Sequence, residues 1–134
     1  MPTNTEIVKE MYAAFGRGDV PAVLSHVAED VSWEAEMPER LTWGGIRRGP
    51  AEAAGFFMGL AAEQENQVLE MTEFFEKPGA VAAFGRYSAT VKASGKRVDS
   101  PVGHYFGFRD GKVIRYVNLV NSGAFLEALE AVPA

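Results

Sequence analysis

Proton chemistry near pH 7 needs a side chain that titrates there, and this chain offers two histidines, His26 and His104, and no cysteine. His104 sits in the run from Asp99 to Ser122, D-S-P-V-G-H-Y-F-G-F-R-D-G-K-V-I-R-Y-V-N-L-V-N-S. Asp-Gly between two aromatic or β-branched runs is a strong hairpin signal. It predicts paired strands over Val102–Phe108 and Val113–Val120. A two-residue turn on Asp110-Gly111 pairs Arg109 with Lys112 and places His104 on a face with Val117. A three-residue loop, with Gly111 left-handed, pairs Phe108 with Lys112. Val102, His104, Phe106 and Phe108 then share a face with Ile114, Tyr116, Asn118 and Val120. A slip of one residue turns every side chain to the other face. The three-residue loop is favoured, because it gathers His104, Tyr116 and Asn118 among apolar neighbours. There His104 would serve as acid or base, and Asn118 with Tyr116 would donate to a developing oxyanion. The plainer alternative is a half-buried, hydrogen-bonded strand histidine.

Other side chains compete for a place beside it. Asp30 to Glu36 alternates, so Val31, Trp33 and Ala35 face one way and Ser32, Glu34 and Glu36 the other. Either Trp33 lines the interior, or one of the glutamates supplies a carboxylate there. Met37 to Gly49 is long and rich in breakers, and it carries Trp43. A lid and a surface loop with Trp43 plugged into the core are both open. Arg86-Tyr87 presents one polar group to each face of its strand, so Tyr87 is either a pocket residue or a structural hydrogen-bond partner. Tyr12 lies in an apolar helical stripe and reads as core. His26 reads as exposed and without a role. The histidines are far apart with no clustered carboxylates, so no metal site is expected. Gly44-Gly-Ile-Arg-Arg-Gly49 lacks the lysine of a phosphate loop, and no nucleophile elbow is present. No cofactor is expected.

The elements that must position these groups follow in order. Thr3 with Glu6 forms a capping box, and Ile7, Val8, Met11, Tyr12 and Phe15 follow at helical spacing. Asp19 caps a second helix that tolerates Pro21 in its first turn. The strand with Trp33 comes next, then a helix from Gly49-Pro50 to about Glu65. Strands follow at Val68–Glu76 and Ala80–Val91, then the hairpin. Asn121 or Ser122 opens a last helix. This α-α-β-α-β-β-β-β-α order is α+β, a strongly bent, mainly antiparallel sheet with helices on one face. Val113, Val117, Leu119 and Tyr105 would form a second apolar face opposite His104, so a homodimer through the sheet is expected.

The composition narrows the field. At 134 residues the chain is expected to be one domain, 1–134. Eighteen acidic against thirteen basic residues, with no basic stripe, argue against nucleic acid. No apolar run is long enough to span a membrane, and Met1-Pro-Thr-Asn-Thr-Glu6 lacks the regions of a signal peptide. With no cysteine, a cytoplasmic location is expected.

Four stretches together carry a family resemblance: Tyr12-Ala-Ala-Phe-Gly-Arg-Gly-Asp19, Ala28-Glu-Asp-Val-Ser-Trp33, Gly44-Gly-Ile-Arg-Arg-Gly-Pro50 and His104-Tyr-Phe-Gly-Phe-Arg-Asp-Gly-Lys112. The chain resembles the SnoaL-like branch of the nuclear transport factor 2-like superfamily (cystatin-like in shape), with its ketosteroid isomerases, polyketide cyclases and limonene epoxide hydrolases. The resemblance implies a cone-shaped α+β barrel with a mostly apolar pocket at its open end, usually in a dimer. In the polyketide cyclases a histidine on the penultimate strand works near an aspartate fourteen residues on. His104 matches the first, but Asn118 stands at the second. The tyrosine and carboxylates of the ketosteroid isomerases fall on Met11, Ala35 and His104. The implied ligand is a small apolar molecule contacted by Trp33, Trp43, Tyr87, Phe106 and Tyr116. A cofactor-independent isomerase, cyclase or hydrolase is one reading; a non-catalytic binding or dimerisation domain is the other.

Overall fold

Thr3 closes the first helix as its sequence predicts. The computed structural model describes residues 2–131. In α1 (Asn4–Gly16) the Thr3 hydroxyl accepts from the Glu6 N–H, and the Glu6 carboxylate accepts from the Thr3 N–H at 3.0 Å. Asp19 caps α2 (Val20–Leu24), with Pro21 in the first turn, where no donor is missed. The two helices form a tight hairpin. It buries Ile7, Val8, Met11, Ala14 and Val23.

The remaining elements are β1 (Val27–Ala35), β2 (Gly45–Arg48), α3 (Gly49–Glu63), β3 (Gln64–Lys77), β4 (Ala80–Val91), β5 (Arg97–Arg109), β6 (Lys112–Val120) and α4 (Ser122–Glu130). Six strands make one strongly curved sheet in the order β2-β1-β6-β5-β4-β3, an α+β cone. Neighbours are antiparallel except β1 and β6, which run parallel. Strand β2 was not anticipated. Its four residues, Gly45-Ile-Arg-Arg48, are too few and too polar to signal a strand. They pair because β1 leaves an edge open to them.

The hairpin reaches the favoured alignment by another route. Arg109 pairs with Lys112, so the turn is the two-residue one, with Asp110 and Gly111 both at positive φ (51° and 75°). The register then shifts. Phe108 faces Val113, Gly107 faces Arg115, and Ile114 is the extra residue of a bulge. Beyond the bulge His104 pairs with Asn118 and Phe106 with Tyr116, two residues off the pairs of the three-residue loop (His104 with Tyr116, Phe106 with Ile114) but on the same face. The expected places of Val113 and Ile114 are therefore exchanged. Val113 is fully buried, not on the outer face, and Ile114 is half-buried.

The loop between β1 and β2 is closed down on α3. The Arg47 guanidinium donates to the Gly44 and Thr42 carbonyls at 2.7 and 3.0 Å. The Thr42 N–H and hydroxyl both donate to the Glu63 carboxylate. A Cβ on Gly59 would lie 2.6 Å from the Thr42 carbonyl oxygen, so only glycine allows this approach. Trp43 is thereby sealed in the core, its ring edge-on to Phe125 at 5.3 Å. Of the two readings of this loop, the plug is the one observed.

Candidate functional site

The concave side of the sheet and the helices enclose a cavity of about 60 Å³. It is smaller than the ~150 Å³ that takes up benzene in an engineered lysozyme core, and comparable to the space of a few waters. Its aromatic wall is built from four elements. Trp33 of β1 stacks on Tyr116 of β6, centroids 3.9 Å apart and planes 24° from parallel. This contact follows from register, since Trp33 and Tyr116 are partners across the parallel pair. Phe56 of α3 meets both rings edge-on, at 5.8 and 6.2 Å. Phe106 of β5 lies 5.3 Å from Tyr116.

His104, Asn118, Trp33, Trp43, Tyr87, Phe106 and Tyr116 all line this cavity. They do so because β5 and β6 alternate in phase beyond the bulge and because the β1–β2 loop carries Trp43 inward. Tyr87 also takes the structural role foreseen for it. Its hydroxyl donates to Gln64 Oε1 and accepts from Gln67 Nε2 at 2.9 Å. Burial pushes that phenol up to about 12. The glutamates stay out. Glu34 Oε2 accepts from Arg115 at 2.8 Å and from Ser32 at 3.0 Å on the far side of the strand, and the Arg115 guanidinium holds its carboxyl below the usual range.

Tyr12 corrects the reading of the first helix. It belongs to the apolar stripe, yet its hydroxyl lies 2.8 Å from His104 Nδ1. The signal was present in the residue type. A tyrosine in a buried stripe brings a hydroxyl that must find a partner, and the buried histidine is that partner. Burial drives the Tyr12 and Tyr116 phenols well above their ordinary range, so both stay protonated.

His104 itself does not titrate near pH 7. Burial depresses its pKa from 6.5 to about 3, against a smaller upward pull from a hydrogen bond with Asn118. No well-formed bond accompanies that pull, since Asn118 Oδ1 is buried with no hydrogen-bond partner of good geometry. The indole N–H groups of Trp33 and Trp43 are likewise buried without a partner. The site therefore holds a neutral imidazole, three neutral phenols and an amide within aromatic walls. Among the described residues no Asp, Glu, Lys or Arg side chain lines it. Among the described residues no three His, Cys, Asp or Glu side chains gather as a metal site would require, and no helix is long and apolar enough to cross a membrane.

A model of the SnoaL-like domain matches residues 8–116, more than half of the chain. No curated protein matches the sequence significantly. Among solved structures, a protein of unknown function with the nuclear transport factor 2-like fold from Burkholderia pseudomallei superposes with a TM-score of 0.91 at 24% identity, covering 98% of this chain and 100% of that one. TerC, crystallised with polyporic acid, gives 0.85 at 27% identity over 96% and 98%. A protein with a ketosteroid isomerase-like fold from Catenulispora acidiphila, in complex with trimethylamine, gives 0.80 at 17% identity over 98% and 100%.

Proposed function

The chain belongs to the SnoaL-like domain family, and on that premise we propose that it binds a small apolar, oxygen-bearing molecule in the conical cavity and acts on it as a cofactor-independent isomerase, cyclase or hydrolase. The observation that carries this reading is His104, a buried neutral imidazole held 2.8 Å from Tyr12 and opposite Asn118 within an aromatic enclosure. A polar group in such a place meets a ligand oxygen without competition from water, where its hydrogen bond is strongest. His104 would handle the proton or polarise the oxygen; Tyr116 and Asn118 would assist. Trp33, Trp43, Tyr87 and Phe106 would supply apolar contact.

The test is an NMR titration of the His104 and tryptophan ring signals with small ketones, lactones and epoxides, followed by turnover assays on any binder. Binding that moves these signals, with turnover lost in His104→Ala, supports the proposal. If no compound moves them, or if turnover survives in His104→Ala, this mechanism is wrong. A second reading, a non-catalytic binding domain, is favoured by Asn118, which cannot exchange protons in the useful range, and by the lack of a carboxylate in the cavity wall. Ligand binding without turnover, unchanged by Asn118→Asp, would select it. We also propose a homodimer through the outer face of the sheet, where Phe75, Phe84 and Leu119 are exposed.

A further inference from the structure

Tyr12 and His104 share one hydrogen bond, and the position of its proton decides what the cavity offers a ligand. The phenol has one O–H, and the neutral imidazole has one N–H. Suppose the ring proton is on Nδ1. It then donates to the Tyr12 oxygen, and the Tyr12 O–H is left without an acceptor, since His104 is that side chain's one hydrogen-bond partner. Suppose instead that it is on Nε2. Tyr12 then donates to Nδ1, and the ring N–H is left to the cavity that His104 lines. The second arrangement joins the better donor, the phenol O–H, to the better acceptor, the bare imidazole nitrogen, whereas the first asks a phenol oxygen to accept and strands its O–H.

We propose that Tyr12 is a positioning residue that holds the His104 proton on Nε2, so that the cavity meets its ligand with a neutral donor and selects uncharged molecules carrying an acceptor oxygen. This rests on the reading that the cavity binds ligands. An ionised ligand would find no counter-charge, because among the described residues no Asp, Glu, Lys or Arg side chain lines the wall. An uncharged carbonyl or epoxide oxygen can accept from the Nε2–H without displacing a well-formed hydrogen bond, since Asn118 Oδ1 makes none. The Tyr116 phenol, held protonated by burial, is a second neutral donor in the same wall.

Two measurements test the proposal. Long-range ¹H–¹⁵N spectra of ¹⁵N-histidine-labelled protein report the tautomer of His104 directly. The expected spectrum has a protonated Nε2 and a bare Nδ1, and Tyr12→Phe is expected to move population toward the Nδ1-protonated form. A wild-type spectrum with the proton on Nδ1 overturns the proposal even if Tyr12→Phe does not fold. The second measurement titrates acetone, acetate and acetamidinium, which share a methyl group and a small planar head that the cavity can hold but differ in charge. Acetone is expected to shift the His104 Nε2 signal and to bind at least about tenfold more tightly than either ion. Equal or tighter binding of an ion overturns the selectivity. If none of the three binds and no small ketone or epoxide does, the ligand-binding reading falls with it, while the tautomer result still stands or falls on its own spectrum.

Discussion

At the scale of single residues, the Tyr12–His104 couple is the feature with the largest energetic reach. The unfolded chain protonates His104 near pH 6.5, the folded one near pH 3. Between these values the unfolded state binds the extra proton. The stabilisation is therefore complete above about pH 6.5 and is lost as pH falls toward 3, at a slope of about 1 kcal/mol per pH unit. Glu34, whose carboxyl lies below its ordinary 4.5, adds to the acid loss only at lower pH. Urea unfolding of the wild type between pH 4.5 and 6.5 should show this slope, and His104→Gln should flatten it. An unchanged slope in the variant would mean that His104 is not a buried neutral ring. His104 and Asn118 were recognisable from residue type and spacing. Tyr12 was legible only as a hydroxyl in need of a partner, because helical periodicity places a side chain on a face without saying what the far end of that side chain touches. The depressed pKa was not legible either, since it depends on burial by helices remote in the chain.

At the scale of elements, turn chemistry and close approach govern the site's alignment. The hairpin's residue types announced both strands, and His104 shares a face with Tyr116 and Asn118 as the favoured loop implied. The register differs by two residues, because the extra residue is Ile114 in β6 and not one on the β5 side of the turn. Face periodicity cannot tell these apart, as a shift of two residues returns every side chain to the same face. A second irregularity lies between Met71 and Glu73, opposite Gly85. A Cβ on Gly85 would meet the Glu70 carbonyl oxygen at 2.0 Å and Met71 Cα at 2.7 Å, both rigid backbone. Gly85→Ala is expected to destabilise by about 3 kcal/mol. Gly16, at the end of α1, has nothing within 4 Å of such a Cβ and no positive φ, so Gly16→Ala is expected to stabilise by up to about 1 kcal/mol. Thermal melts of the two variants check the contrast. Equal shifts would show that the β3–β4 contact is looser than described.

At the scale of the whole molecule, the sheet has one side filled by helices and cavity and another that is only partly polar. Leu119 is 63% exposed and Phe75 58%, and Phe75 and Phe84 meet at 6.1 Å on the same surface. These side chains bear on the proposed dimer. Sedimentation at micromolar concentration should give a dimer for the wild type and a monomer for Leu119→Glu with Phe84→Glu. A wild-type monomer would remove the proposal. The two-sided apolar pattern of the strands was readable from the chain, although Val113 was placed on the wrong side of it by the unseen bulge.

The parallel contact of β1 with β6 has a consequence in time. It joins residues near Trp33 to residues near Tyr116, and Thr5 near the start of the chain hydrogen-bonds Glu76 at 2.9 Å. Closing such long loops before any contact forms is slow, and chains rich in remote pairings fold in milliseconds to seconds. The sheet cannot join β1 to the later strands until β6 has been made, since β6 lies between β1 and β5. During synthesis the first helical hairpin and β1 therefore wait, apolar faces uncovered, for the last strand to leave the ribosome. The cavity is assembled in that final step, because Trp33 has no Tyr116 to stack on and Tyr12 no fixed His104 until then. A ligand that fits the cavity should accordingly slow unfolding far more than it speeds folding.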